Sequence, residues 1–273
     1  MNDSRYSRNA QFVTPKQQEK IKKTKILFGG VGLGSLIAET ALRLGFENFI
    51  FIDGDHVELS NLNRQNYTMD DINSSKVESI SKRLKSINPE VKIDYHHVYL
   101  DEQNISQYIE GDPDNNTIAI NALDYNNLAP FIFDRECIKY KIPIIHPGNY
   151  SWTSSAFIIS DISKNLDDIT KDGKPKLWDL VEEVQNDVEQ RYPSIQWFWE
   201  YCYLSMKGGN DPSTQLSVGA NLSAALTTRL MFKLATNQQV NYFPFVYLSD
   251  LKALDSLDYG DYLKIESQKT INK

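Results

Sequence analysis

Cysteine is nearly missing: the 273 residues contain two, Cys137 and Cys202, and no CxxC pair. Two isolated thiols cannot build a disulfide framework or, unaided, a thiolate zinc site, so no structural zinc is expected. Long apolar runs are missing as well. None approaches the roughly 20 residues needed to cross a bilayer, and the opening MNDSRYSRNAQF has no apolar segment that could act as a secretory signal. The expectation is a cytoplasmic protein with no membrane partner. Basic charge is in deficit, with 29 Lys and Arg against 36 Asp and Glu for a net charge of −7. Broad nucleic-acid binding needs a surplus of cations to neutralise phosphates, so nucleic acid is not the expected partner.

What is present suits one large α/β domain: an apolar fraction of 41% and a length that can bury a full-sized core. Apolar stretches recur at strand–helix spacing. Ile26-Leu27-Phe28 reads as a strand, then a glycine cluster, then Leu36 to Leu44 at helical period. Phe49–Ile52, Val91–Ile93, Thr117–Ile120 and Pro143–Ile145 read as further strands, and Val77–Ile87 as an amphipathic helix. Short apolar strands separated by helices imply a mostly parallel sheet covered on both faces, because parallel neighbours need crossover connections. That is a doubly wound α/β fold. Later come a strand near Ala156–Ser160, a long helix over Ser217–Leu234 and a closing strand over Phe243–Leu248. Between them, from about 161 to 215, the chain turns acidic, aromatic and irregular, and reads as an insertion over the sheet. It carries Trp178, Tyr192, Trp197, Phe198, Trp199, Tyr201 and Tyr203. The first 24 residues form a basic arm ahead of a single domain over 25–273.

The first strand runs into Gly29-Gly30-Val31-Gly32-Leu33-Gly34-Ser35, where missing side chains let a phosphate approach the backbone and the next helix N-terminus. A strict GxGxxG is absent, since Val31 or Ser35 interrupts it in either register. The second strand ends at Asp53, 19 residues after Gly34, which suits an acidic group holding ribose hydroxyls. To this point a dehydrogenase fits equally well. The next segment, Asp53-Gly54-Asp55-His56-Val57-Glu58-Leu59-Ser60-Asn61-Leu62-Asn63-Arg64-Gln65, followed by Lys76 at a helix start, argues against it. Hydride transfer needs no such set, whereas a nucleoside triphosphate does: Arg64 and Lys76 offset phosphate charge while Asn61 and Gln65 supply neutral donors. His56 is not needed as a base, because a carboxylate is already ionised near pH 7.

With IDGD at the strand end and SNLNRQ followed by a lysine 12 residues beyond its arginine, the chain resembles the MoeB/ThiF family, bacterial relatives of ubiquitin-activating enzymes. The likeness runs from about Arg5 to Trp152 and returns in Leu216–Leu248. It implies a Rossmann-like, doubly wound sheet with a crossover insertion, a C-terminal helix and closing strands. By position it implies that Asp53, with Asp55 beside it, binds the ribose side of ATP, and that Asn61, Arg64 and Lys76 hold the triphosphate. Asp124 in INALD matches the family's magnesium-binding aspartate, and a hard cation bridging phosphate oxygens does favour a carboxylate. Arg5-Tyr6-Ser7-Arg8 matches the family's RYxRQ opening, with Asn9 where glutamine is usual, and implies that Arg8 reaches the phosphates of a neighbouring subunit in a homodimer.

The activity so implied is ATP-dependent adenylation of a carboxylate, catalysed by Arg64, Lys76, Asp124 and Arg8 with Mg2+. Its acceptor would be a small ubiquitin-like sulfur carrier or a peptide. The alternatives are a relative of the tRNA threonylcarbamoyl dehydratases and a non-catalytic nucleotide-binding scaffold. The paired CxxC zinc motifs of many members are absent, and the surroundings of Cys202 do not match the family's acyl-accepting cysteine segment, which leaves burial as its default role.

Overall fold

The computed structural model describes residues 4–112, 114, 116–125, 127–150, 152–169 and 215–250. Most of the expected insertion, with its aromatic residues and Cys202, lies outside the described residues. Seven strands form one sheet: β1 Lys25–Gly29, β2 Asn48–Ile52, β3 Lys92–His96, β4 Thr117–Asn121, β5 Ile144–Tyr150, β6 Thr153–Ile159 and β7 Val246–Asp250. Their spatial order is β3-β2-β1-β4-β5-β6-β7. The first five are parallel, then β6 runs antiparallel to β5 and β7 antiparallel to β6. The mostly parallel doubly wound sheet read from the sequence is therefore present, with a reversed strand near one edge. That reversal follows from a short loop: only two residues separate β5 from β6, enough for a hairpin and too few for a parallel crossover.

Five helices are described: α1 Pro15–Lys23, α2 Gly34–Leu44, α3 Lys76–Ile87, α4 Ala129–Lys139 and α5 Ser217–Ala235. The central strands are apolar throughout because both faces are covered. Ile26, Phe28, Phe49, Phe51, Ile118 and Ile120 pack with α2, α3 and α5 on one face, where the Phe28, Phe49 and Phe51 rings lie 5.3–6.3 Å apart. Leu27, Ile52, Ala119 and Ile144 pack on the other face against Phe131, Phe133 and Cys137 of α4 and against Ile105 and Ile109. Helix α1 is a feature the charge-rich arm conceals. Thr14 caps it in a reciprocal box with Gln17, Pro15 occupies its first turn, and Ile21 is fully buried against the body.

Glu39 joins the elements that carry the site. From α2 it accepts from Arg43 Nε at 2.9 Å, from Arg83 Nε of α3, and from Asn66 Nδ2 of the crossover segment at 3.0 Å. Burial raises its pKa, but hydrogen bonds from the two arginines outweigh that and hold it below the ordinary glutamate value. A carboxylate whose folded pKa is depressed contributes stability that is present above its unfolded value of about 4.3 and lost as pH falls through the folded value. Glu39→Gln is accordingly expected to lower the melting temperature at pH 7 and to lose less on acidification than the unaltered chain. Melting curves at neutral pH and well below pH 4 check this; parallel pH dependences would refute it.

Candidate nucleotide-binding site

The sheet order places a topological switch between β1, whose chain continues outward to β2 and β3, and β4, which starts the other half. Ligands of open α/β sheets bind at the carboxyl ends of strands at such a point. The glycine turn after β1 and Asp124 after β4 flank it.

Gly30 adopts φ +86° and its N–H donates to Ile52 O at 2.9 Å, tying the end of β1 to β2. A Cβ on Gly30 would lie 2.5 Å from the Ala122 carbonyl oxygen, so the turn also abuts the end of β4. Gly29 is packed under Phe133 and Leu123, Gly34 against Phe28, and Gly32 against the Gln65 carboxamide, where a Cβ would lie 3.2 Å from Nε2. Helix α2 begins at Gly34 without a side-chain cap among the described residues, and its first turn is closed by the Ser35 N–H on Gly32 O and the Leu36 N–H on Leu33 O, both at 3.2 Å, so its amino end lies at the switch point.

Asp53 is buried, and its carboxylate accepts from the Val31 N–H at 2.7 Å and the Asp55 N–H at 2.8 Å. It thus staples the glycine turn to the end of β2. Burial pushes its pKa up, against the opposing Lys76 charge and the two amide bonds. A carboxylate has about four lone-pair sites, so two stay available for ribose hydroxyls. Asp55 accepts from Lys76 Nζ at 2.7 Å and from the Tyr99 hydroxyl at 2.9 Å. Burial raises its pKa too, but the Lys76 hydrogen bond and charge bring the net below the ordinary value. Lys76 is itself buried, so its charge is shared between Asp53 and Asp55 instead of projecting as a solvated cation.

The SNLNRQ segment folds as a tight 3-10 turn, Leu59–Asn61, and its continuation. Asn61 is buried and its Oδ1 accepts from the Glu58 N–H at 3.0 Å, which fixes the turn and leaves the amide NH2 as the donor. Arg64 is half-buried. Its Nη1 donates to Ser60 O at 3.1 Å and Asn63 Oδ1 at 2.8 Å, and its Nε to Gln215 Oε1 just before α5. Burial lowers the guanidinium pKa, and the nearby charge of Asp124 opposes that lowering. Arg64 and Asp124 therefore feel each other across the switch point. Gln65 leaves Oε1 buried with no partner among the described residues.

Asp124 is exposed. Among the described residues no group of three or more His, Cys, Asp or Glu could hold a metal by itself. A single carboxylate fits Mg2+, which takes one or two protein carboxylates and completes its octahedron with water and phosphate oxygens. Arg8 is not brought to this site within one chain. It lies in a 3-10 turn, Ser4–Asn9, and that turn is anchored at the opposite, amino ends of the strands: Arg5 pairs with Glu90 at 2.8 Å and Asn9 donates to Leu44 O at 2.9 Å. His56 stands edge-on to His97 at 4.7 Å. Cys137 is fully buried, and burial pushes its thiol well above the usual range, which leaves it unreactive.

Sequence reasoning missed several supports. The Tyr67 hydroxyl donates to Val31 O at 2.8 Å; Ser35 Oγ donates to Gly32 O at 2.7 Å and accepts from the Asn66 N–H at 3.0 Å; and Tyr99 covers Gly54. Ser35 sits inside the glycine motif and was within reach of a sequence argument. Gln215, 151 residues from Arg64, was not.

Charge and geometry here are those of an open α/β sheet whose switch point is lined by the crossover segment as well as by the glycine turn. Residues 6–242 match the model of the ThiF family, and the chain belongs to that family. It is 29% identical over 177 residues to the tRNA threonylcarbamoyladenosine dehydratase of Bacillus subtilis, covering 63% of this chain and 68% of that protein. It is 34% identical over 130 residues to the molybdopterin-synthase adenylyltransferase of Haemophilus influenzae, 47% of this chain and 51% of the relative. To the ubiquitin-like modifier-activating enzyme 5 of Drosophila willistoni it is 41% identical over 83 residues, 30% of this chain; the match spans only 20% of that protein's length. The crystal structure of E. coli MccB with AMPCPP and MccA shares the fold at a TM-score of 0.65 and 19% identity, over 91% of this chain and 71% of MccB. No helix among the described residues is long and apolar enough to cross a membrane.

Proposed function

We propose that the protein is an ATP-dependent adenylyltransferase that joins an acceptor carboxylate to AMP and releases pyrophosphate. The observation that supports this most is the convergence of Asp53, Asp55, Lys76, Arg64 and Asp124 on one switch point, three of them strand-end carboxylates and two of them cations held in place by hydrogen bonds. The acceptor oxygen attacks the α-phosphorus in line, the bond to the bridging oxygen of pyrophosphate breaks, and an acyl-adenylate results. No protein nucleophile is required; positioning and charge neutralisation carry the catalysis. Arg64 offsets the phosphate charge, Asp53 orients the ribose, and Lys76 offsets part of the negative charge of the adjacent Asp53 and Asp55. Mg2+ held by Asp124 would supply further charge neutralisation on the phosphate oxygens. A homodimer would bring Arg8 of one chain to the phosphates of the other. The acceptor is a small ubiquitin-like carrier or a peptide with a free C-terminus, as the relationship to a molybdopterin-synthase adenylyltransferase supports.

A second reading is favoured by the Bacillus subtilis relative, matched along more of the chain: adenylation of a carboxylate on tRNA-borne threonylcarbamoyladenosine, followed by dehydration. The net charge of −7 weighs against an RNA partner.

The test incubates the protein with Mg2+ and ATP labelled at the α-phosphate, together with small proteins, peptides or tRNA. Label on a protein or peptide, or pyrophosphate release that depends on it, supports the first reading; AMP release that depends on tRNA supports the second. Binding separates both from a dehydrogenase: MgATP at about 100 times its Kd should stabilise the fold by about 2.7 kcal/mol and raise the melting temperature, while NAD(H) leaves it unchanged. The reverse result would overturn the adenylation reading.

A further inference from the structure

Behind the Asp124 loop lies a buried polar chain that the proposed reaction does not use. His146 of β5 and Asp134 of α4 are almost fully enclosed, with 3% and 2% exposure. The β4–β5 register pairs Ala119 with Ile144 and Ile120 with Ile145, so Asn121, the last residue of β4, stands beside His146. Asn121 Nδ2 donates to Asp134 Oδ1 at 2.8 Å and to Pro130 O at 2.8 Å. His146 Nε2 lies 3.1 Å from Asp134 Oδ2, off the ideal hydrogen-bond direction, and the ring is stacked on Phe157 at 4.5 Å with the planes 7° apart. Its other edge is fixed by a short contact: Tyr125 Oη and His146 Nδ1 are 2.7 Å apart.

The protonation pattern that satisfies this chain is a carboxylate at Asp134, Nε2–H on His146 facing it, and Nδ1 accepting from the Tyr125 hydroxyl. A phenol is protonated at neutral pH and serves as the donor in this 2.7 Å contact. Tyr125 directly follows Asp124. Asn121, at the other end of the short loop, offers Oδ1 toward the Leu123 N–H at 3.4 Å. The loop that presents the exposed Asp124 is thereby gripped from below on both sides, through a cluster anchored in α4 and β5.

We propose that Asp134 and His146 are positioning residues that act through Tyr125 to hold the 122–125 loop, and with it the Asp124 carboxylate, where a metal–nucleotide complex binds. The mode of action rests on the metal assignment made above for Asp124; the gripping of the loop does not. Tyr125→Phe is the sharpest variant because it removes one oxygen and keeps the ring against Phe131. With AMPCPP bound, the MgCl2 concentration giving half of the metal-dependent rise in melting temperature should increase roughly tenfold in Tyr125→Phe and in His146→Leu, the usual scale for losing an outer-shell partner. Asp134→Asn should stay within about threefold of the unaltered protein, because its amide donates to Nε2, moves the ring proton to Nδ1 and reverses the Tyr125 bond without breaking it. Amide hydrogen exchange read without metal or nucleotide should quicken at 122–125 in Tyr125→Phe.

Asp124→Ala is the control. If it abolishes the Mg2+ effect while Tyr125→Phe leaves the half-point within about twofold, the proposal is overturned and the metal assignment stands. If Asp124→Ala leaves the Mg2+ response unchanged, the metal assignment falls, and exchange at 122–125 alone decides the gripping of the loop: faster in Tyr125→Phe supports it, unchanged overturns it.

Discussion

Arg64→Ala and Asp124→Ala are each expected to lower acceptor-dependent pyrophosphate release by roughly 100- to 1,000-fold, the range seen when one preorganised group that meets transition-state charge is removed. The two should differ in their effect on the fold. Asp124 is exposed, and its loss leaves no buried group unpaired, so the melting temperature should hold. Arg64 ties Ser60, Asn63 and Gln215 together, and its removal should cost about 1 kcal/mol, or roughly 2–4 °C. Both losses of activity far exceed what such a change in stability could cause. Arg64→Lys discriminates further: it keeps the charge and loses the planar fork that grips the crossover turn and would meet a phosphate in the proposed reaction, so it should recover only part of the rate. Label transfer to the acceptor that stays within tenfold of the unaltered protein in both alanine variants would remove these residues from the chemistry. A drop confined to Arg64→Ala would leave the metal assignment without support.

The frame of this site was legible in the sequence because it rests on local rules. A parallel central strand must be apolar on both faces, so β1, β2 and β4 announce themselves as short apolar runs. The glycine turn, the Asp53 strand end and the Arg64 crossover are contiguous, and their residue types alone suggest phosphate chemistry. Local rules also explain what was missed. Helix α1 is polar over most of its length and buries only Ile21, so its periodicity is faint and its basic charge dominates the reading. The direction of β6 was open because alternation gives a strand its faces and never its partner.

Side-chain detail was harder still, since it depends on contacts remote in sequence. Lys76 reads from the sequence as a phosphate cation. In the fold it is buried and paired with Asp55, a distinction that needs the crossover segment to close on α3. Arg8 reads as a phosphate ligand, and the fold sets it at the opposite ends of the strands, from which only a second chain could present it to a phosphate. The Tyr125–His146–Asp134 chain joins three elements by no motif at all. It becomes visible only once the β4–β5 register stands Asn121 beside His146.

Gly30→Ala should be the most disruptive glycine-to-alanine change among the described residues. At φ +86° any residue with a Cβ is strained, a cost of about 1–2 kcal/mol. Here the added carbon would also sit 2.5 Å from the Ala122 carbonyl oxygen and 2.8 Å from its carbon, both backbone atoms that no rotamer can move aside. The Ala122 N–H in turn donates to Gly29 O at 2.8 Å, so relief requires β4 to part from β1 at the switch point itself. A total near 3 kcal/mol, or a fall of roughly 6–12 °C in melting temperature, is expected. Because Asp124 lies two residues beyond Ala122, the displacement should also reach the carboxylate proposed to hold Mg2+, and MgATP should stabilise the variant less than the unaltered protein. Gly32→Ala supplies the contrast: its Cβ would meet only the movable Gln65 amide at 3.2 Å, so the fold should lose about 1 kcal/mol or less while ATP affinity falls. Equal melting temperatures for the two variants would show that the close approach of β1 to β4 does not control the stability of this end of the sheet.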